Sequence, residues 1–187
     1  MRRSRLVLSV LAGMLLVSCA TPRHRGSVFV FAKAKDAVKL DPADIIDGES
    51  ATVTNNIFES LVQFAPESTE IVPALATHWE ITPDGKTYTF HLRPNVRFHD
   101  GTPCDADAIV FNYQRQMDPQ SPYRFTAHFE YWANFFKAVD SVKAAGKDTV
   151  VMHLSAPDAT FMTNMALFTM GIASPKAIKD FGQDVGL

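Results

Sequence analysis

The stretch from Pro73 to Pro103, PALATHWEITPDGKTYTFHLRPNVRFHDGTP, constrains the fold more than any other part of this sequence. Asp84-Gly85 is a turn dipeptide: Gly accepts positive φ, and the Asp carboxylate can hydrogen-bond its own backbone. Before it, Trp79 and Ile81 alternate with polar neighbours. After it, Tyr88, Phe90 and Leu92 alternate with Thr87, Thr89, His91 and Arg93, the period of a half-buried strand. The segment therefore predicts a β-hairpin with Trp79 and Phe90 directed to a core. A strand end and the Gly101-Thr102-Pro103 turn follow it.

The N-terminus speaks to compartment. Arg2, Arg3 and Arg5 make a basic start, and Leu6 to Val17 is uncharged and apolar or small throughout. About a dozen such residues fall short of the ~20 a membrane span needs and fit the apolar region of a signal peptide. Leu16-Val17-Ser18-Cys19 then resembles a bacterial lipobox, which implies a signal peptide over 1–18, a lipid on Cys19 and a tether over 19–26. The formal charge of the whole chain is −2, and losing the three Arg would leave −5. An acidic domain without a Lys/Arg cluster argues against nucleic acid and against a polybasic membrane patch, so the membrane would be held through the lipid alone. With Cys19 acylated, Cys104 has no disulfide partner. Its place at a helix start allows a reactive thiol, but a small side chain filling a turn suffices.

Apolar residues make up 47% of the chain and aromatics 11%, ample for a core. Ser27 to Ala32 reads as a buried strand, and Glu49 to Val62 as a helix whose Val53, Ile57 and Leu61 share a face. Ala65 to Pro73 reads as a turn-rich connection. Asp105 is a credible N-cap for a helix over 106–117, with Ala106, Ile109, Val110, Tyr113 and Met117 in one stripe. Tyr123 to Phe136 holds seven aromatics, either a ligand-stacking wall or a helix packed in the core. Strands are expected at Val139 to Lys143 and Thr149 to Leu154, and a third helix over Ala156 to Leu167. Ser174-Pro175 opens a short helix that Gly182 closes.

Several landmarks appear in order: Leu40-Asp41-Pro42, Asn56 to Val62, Pro73 to Ala76, Trp79-Glu80, Asp84 to Arg93, Phe98 to Pro103 and Ala106 to Phe111. From about Val28 to Phe181 the chain resembles the family 5 extracellular solute-binding proteins, the dipeptide, oligopeptide and nickel receptors of bacterial ABC importers. The resemblance implies an α/β, periplasmic-binding-protein-like fold of type II, the peptide-binding cluster. It implies the start of lobe I over 27–63, an inserted α+β subdomain over 64–155 and a return towards lobe I over 156–187. Family members are considerably longer, so the second lobe is expected to be absent and the chain truncated. Helix faces left without partners then predict exposed apolar patches and poor solubility.

By the same resemblance, the ligand-cleft candidates are Ile45, Ile46, Asp47, Gly48, Glu49 and Ser50. Backbone N–H groups at a helix start suit an anionic group such as a peptide carboxylate. Asp47 and Glu49 equally suit plain helix capping. Ile45 stands where the nickel branch has an aromatic, which puts peptide ahead of metal. None of the six His forms a tight ligand spacing such as i, i+4 on a helix. No metal site, cofactor or catalytic residue is expected. The implied partners are a peptide or other small solute, an ABC permease of the inner membrane and the membrane itself, on the periplasmic side. Two other readings compete. A secreted hydrolase could use Asp100, Asp105 and Asp107 near His99, although no G-x-S-x-G or H-E-x-x-H accompanies them. A structural lipoprotein that binds nothing is the other.

Overall fold

The computed structural model describes residues 30–185. The chain forms two units, Met1–Lys33 and Ala34–Leu187. The signal-peptide reading and Cys19 lie outside the described residues. Of the first unit, Val30 to Lys33 are described; they form no strand, and Val30 and Phe31 are exposed. This corrects the buried strand expected over Ser27 to Ala32, as far as it is described. An apolar, β-branched run becomes a strand only where a neighbour supplies hydrogen bonds.

The second unit begins with a 3-10 helix at Pro42–Asp44, capped by the Asp41 carboxylate, which accepts from the Ala43 N–H at 3.2 Å. Helix α1 follows at Gly48–Thr54. It is half the length expected. Thr52 and Thr54 turn their hydroxyls back onto the Gly48 and Ser50 carbonyls, and Asn56 caps the Thr52 carbonyl with its side-chain amide. Such local bonds compete with helix propagation. Ile57 is exposed and Leu61 is buried ahead of a strand, so the i, i+4, i+8 spacing was met by different elements. That strand, β1 at Val62–Phe64, pairs antiparallel with β2 at Ile71–Pro73. The expected connection over 65–73 thus contains a strand, and β1 straddles the boundary expected at 63–64.

The predicted hairpin is present as β3 at Ala76–Ile81 and β4 at Thr87–Leu92, with Trp79 opposite Phe90. Gly85 sits at φ 67°, which only Gly adopts freely. β5 at Val139–Ala144 and β6 at Thr149–Leu154 complete an antiparallel sheet of order β3-β4-β6-β5. One face is apolar: Tyr88, Phe90 and Leu92 from β4 and Val150, Met152 and Leu154 from β6 are all buried. Burying one such side chain contributes about 1.5–3 kcal/mol. Ile81, on edge strand β3, is 46% exposed despite its place in the alternation.

Helix α2 at Ala106–Met117 packs on this face, with Ile109 and Tyr113 fully buried. The Asp105 carboxylate accepts from the Ala108 N–H at 3.2 Å, as a cap should. Helix α3 at Glu130–Phe135 is shorter than the aromatic density suggested. Tyr113, Trp132, Phe136, Phe161 and Tyr88 run in unbroken ring contact, at centroid distances of 4.4 to 6.0 Å. The core reading therefore holds for Trp132 and Phe136, whereas Phe125 and Phe135 are exposed. Helix α4 is confined to Phe161–Met165. Asp158 accepts from both the backbone and the hydroxyl of Thr160, forming a turn where a longer helix over 156–167 was expected. Helix α5 at Pro175–Phe181 matches expectation, with Ser174 as N-cap and Gly182 as C-cap.

Candidate functional site

The segment before and into α1 is held at both ends. The Asp41 carboxylate receives the two terminal nitrogens of Arg115, Nη1 to Oδ2 at 2.8 Å and Nη2 to Oδ1 at 2.5 Å. This bidentate pair ties the segment to α2, and Arg115 itself is buried. Phe129 lies across the guanidinium, 5.2 Å from ring centre to Cζ. Asp44 accepts from the His128 N–H at 3.1 Å and pairs with Lys39. On the other side, Ser50 Oγ accepts from the Val38 and Lys39 N–H groups at 2.9 and 3.3 Å.

The six candidate residues divide within this frame. Ile45 and Ser50 are buried and structural. The Asp47 carboxylate accepts from the Ser50 N–H at 2.8 Å, and this hydrogen bond lowers its pKa below the usual carboxylate value. Asp47 thus caps α1, one of the two roles its sequence position suits, and occupies one of the helix-start amides. Glu49 is part-buried in the first turn. Ile46 is 69% exposed, and Gly48 is exposed with no atom within 4 Å of where a Cβ would stand. The outward-facing part of the candidate set is therefore Ile46 and Gly48, presented between two pinned flanks.

The carboxylates of the hydrolase reading are engaged in local structure. Asp100 Oδ1 accepts from the Thr102 backbone and hydroxyl, and Oδ2 accepts from the Ser174 hydroxyl at 2.5 Å. These bonds, that from Ser174 first, hold the Asp100 pKa down to about 2. Asp105 caps α2, and Asp107 lies in its first turn. Cys104 is buried, and desolvation pushes its thiol up to about 12.

Two features were not foreseen. A cavity of about 370 Å³ lies between the Ile57–Glu59 loop, the Val96–Asp100 turn and the Ile172–Ser174 segment. The β3–β4 hairpin also brings His78, Glu80 and His91 together, with potential metal-ligand atoms within 4.8 Å of one another. The signal for this cluster was present in the sequence. His78 and His91 are equidistant from the Asp84-Gly85 turn, so the register that pairs Trp79 with Phe90 also pairs them.

Several known proteins are similar to this chain. Heme-binding protein A of Haemophilus influenzae is 38% identical over 161 residues, covering 79% of this chain and 29% of that protein. The dipeptide-binding protein of Pseudomonas aeruginosa is 34% identical over 183 residues, covering 92% of this chain and 33% of that protein. The chain thus spans about a third of the length of the curated relatives it matches. Among solved structures, the periplasmic binding protein DppA of Helicobacter pylori, in complex with the peptide STSA, superposes with a TM-score of 0.71 at 34% identity. That match covers 80% of this chain and 31% of DppA. The fold is accordingly the mixed α/β fold of periplasmic binding proteins of the peptide-binding type, represented by a part. The sequence model described as "Bacterial extracellular solute-binding proteins, family 5 Middle" matches residues 70–185, more than half of the chain. Hairpin, helix α2, the second strand pair and α5 all fall within that match, and the chain belongs to the family 5 bacterial extracellular solute-binding proteins.

Proposed function

We propose that this chain is solute-binding sequence of an ABC importer receptor, lipid-anchored through Cys19 on the periplasmic side of a bacterial membrane. It contributes one wall of a cleft that holds a peptide or related small solute for delivery to an inner-membrane permease. Residues 27–63 and 156–187 belong to the first lobe and residues 64–155 to the inserted subdomain. Ligand would be held by lobe closure, a shift between open and closed populations, without bond making or breaking.

Family membership carries this reading, and the local geometry agrees with it. Ile46 and Gly48 face outward from a segment fixed by the Asp41–Arg115 pair and by Ser50. Binding loops need such a rigid support, because an ordered loop loses less entropy on capture of its ligand. An apolar side chain beside open backbone suits a peptide, which offers side chains and amides together.

Thermal denaturation of the purified chain with a panel of di- and tripeptides, and with haem as a comparison, tests the proposal. A bound solute raises the melting temperature by mass action. At least one peptide is expected to do so, and Ile46→Asp to abolish the rise. No shift with any member of the panel would leave the non-binding lipoprotein as the better reading. For the anchor, Cys19→Ser should move the protein from the membrane fraction to the soluble periplasmic fraction.

A further inference from the structure

The face of the four-stranded sheet opposite the core carries a cluster that solute binding leaves unused. His78 and His91 are register partners across the hairpin, and Glu80 lies two residues beyond His78, hence on the same face. The two imidazoles stack with centroids 4.3 Å apart and planes within 9°. Glu80 Oε1 lies 3.3 Å from His91 Nε2. That nitrogen is shielded from solvent and has no hydrogen-bond partner. An unsatisfied imidazole nitrogen next to a carboxylate and a second imidazole is poised for a cation.

A neighbouring hydroxyl prepares the second imidazole. Thr77 Oγ1 donates to the His91 carbonyl at 3.0 Å and lies 3.1 Å from His78 Nδ1. A hydroxyl carries one proton, and here the carbonyl takes it. Thr77 therefore meets His78 as an acceptor. In the neutral ring this contact places the His78 proton on Nδ1 and leaves the lone pair on Nε2. Outer partners that fix the tautomer in this way are typical of metal-binding His.

We propose that His78, Glu80 and His91 form a site for a divalent transition-metal ion of the Zn²⁺ class, clipping edge strand β3 to β4. Two imidazoles and one carboxylate are donors suited to Zn²⁺ and its first-row neighbours. Bonds of about 2.1 Å set adjacent donors about 3–3.5 Å apart. Glu80 and His91 already stand at that separation. The exposed His78 ring offers the third donor, within 4.8 Å of the others, and would have to move closer to complete the triangle, with water filling the shell. The cluster lies on the β3–β4 hairpin, apart in sequence from the Ile45 to Ser50 segment.

The test uses the untagged full chain, stripped with chelator and then titrated with Zn²⁺ alone or Co²⁺ alone. Calorimetry reads stoichiometry and affinity, and the visible bands of Co²⁺ read coordination. One equivalent should bind in the parent and be lost in His78→Ala and His91→Ala. Affinity should fall at least tenfold in Glu80→Gln and roughly tenfold in Thr77→Val. His153→Ala should bind as the parent does, although His153 also lies on the sheet, 3.6 Å from Asp140. Zn²⁺ should raise the melting temperature of the parent and leave that of His78→Ala unchanged. His78 is exposed, so its removal leaves the core intact. Undiminished uptake in His78→Ala and His91→Ala, or no uptake in the parent, would overturn the proposal.

Discussion

Cys104 stands one residue before the Asp105 cap of α2, where a helix N-terminus favours thiolate, yet its pKa is raised to about 12. Burial outweighs the dipole because the sulfur has lost its water. The native thiol is therefore expected to resist iodoacetamide at pH 8 and to react on denaturation, read by peptide mass mapping. Rapid native alkylation would contradict this. Asp100 illustrates the opposite shift. Its folded pKa of about 2 lies below the 3.8 of a free Asp, because Ser174 and Thr102 hydrogen-bond its charged form. Its contribution to stability is thus complete above about pH 4 and is lost as pH falls towards 2. The melting-temperature gap between the parent and Asp100→Ala should stay constant from pH 7 to 5 and close between about pH 4 and 2. A gap unchanged at pH 2 would refute that assignment.

Among elements, α2 organises the rest. Asn112 is buried on it, donates to the Ala173 carbonyl at 2.8 Å and accepts from the Ala173 N–H at 3.1 Å. A single side chain thereby satisfies both backbone groups of a residue outside any strand. Asn112→Leu should cost about 2–3 kcal/mol, since both groups would be left buried and unpaired. Urea unfolding would measure it, and a loss below about 0.5 kcal/mol would show that water takes over. Helix α2 was legible in the sequence because its information is local: the Asp105 cap, the apolar stripe and the Asp118-Pro119 stop. The hairpin was legible through its turn and alternation. Strand β2 was not, because three residues ending in Pro73 carry no periodicity of their own and become a strand only against Val62–Phe64. Helix α1 looks longer in the sequence than it is, because Val53, Ile57 and Leu61 imitate a helical face, while the Thr and Asn back-bonds that end it have no sequence pattern. In the candidate site, the capping role of Asp47 could be read from residue type. The clamp of Arg115 on Asp41 could not, since nothing local links them.

For the whole body from Ala34 onward, the apolar residues left at the surface set its behaviour. Val38, Ile46, Phe125, Phe135 and Phe181 are all exposed, Val38 and Ile46 by more than two thirds. Val38 and Phe125 also line one cavity of about 320 Å³. Clustered apolar surface drives association. At micromolar concentration the purified chain is expected to self-associate, read by size-exclusion chromatography with light scattering. Val38→Ser with Phe181→Ser should shift it towards monomer. A monodisperse parent would count against this.

Two charge-assisted contacts join residues 74 positions apart, Asp41 with Arg115 and Asp100 with Ser174. A polypeptide appearing from its N-terminus therefore cannot fasten either latch until a long stretch of later sequence has emerged. Long-range closures of this kind form late and slow the folding of the whole body.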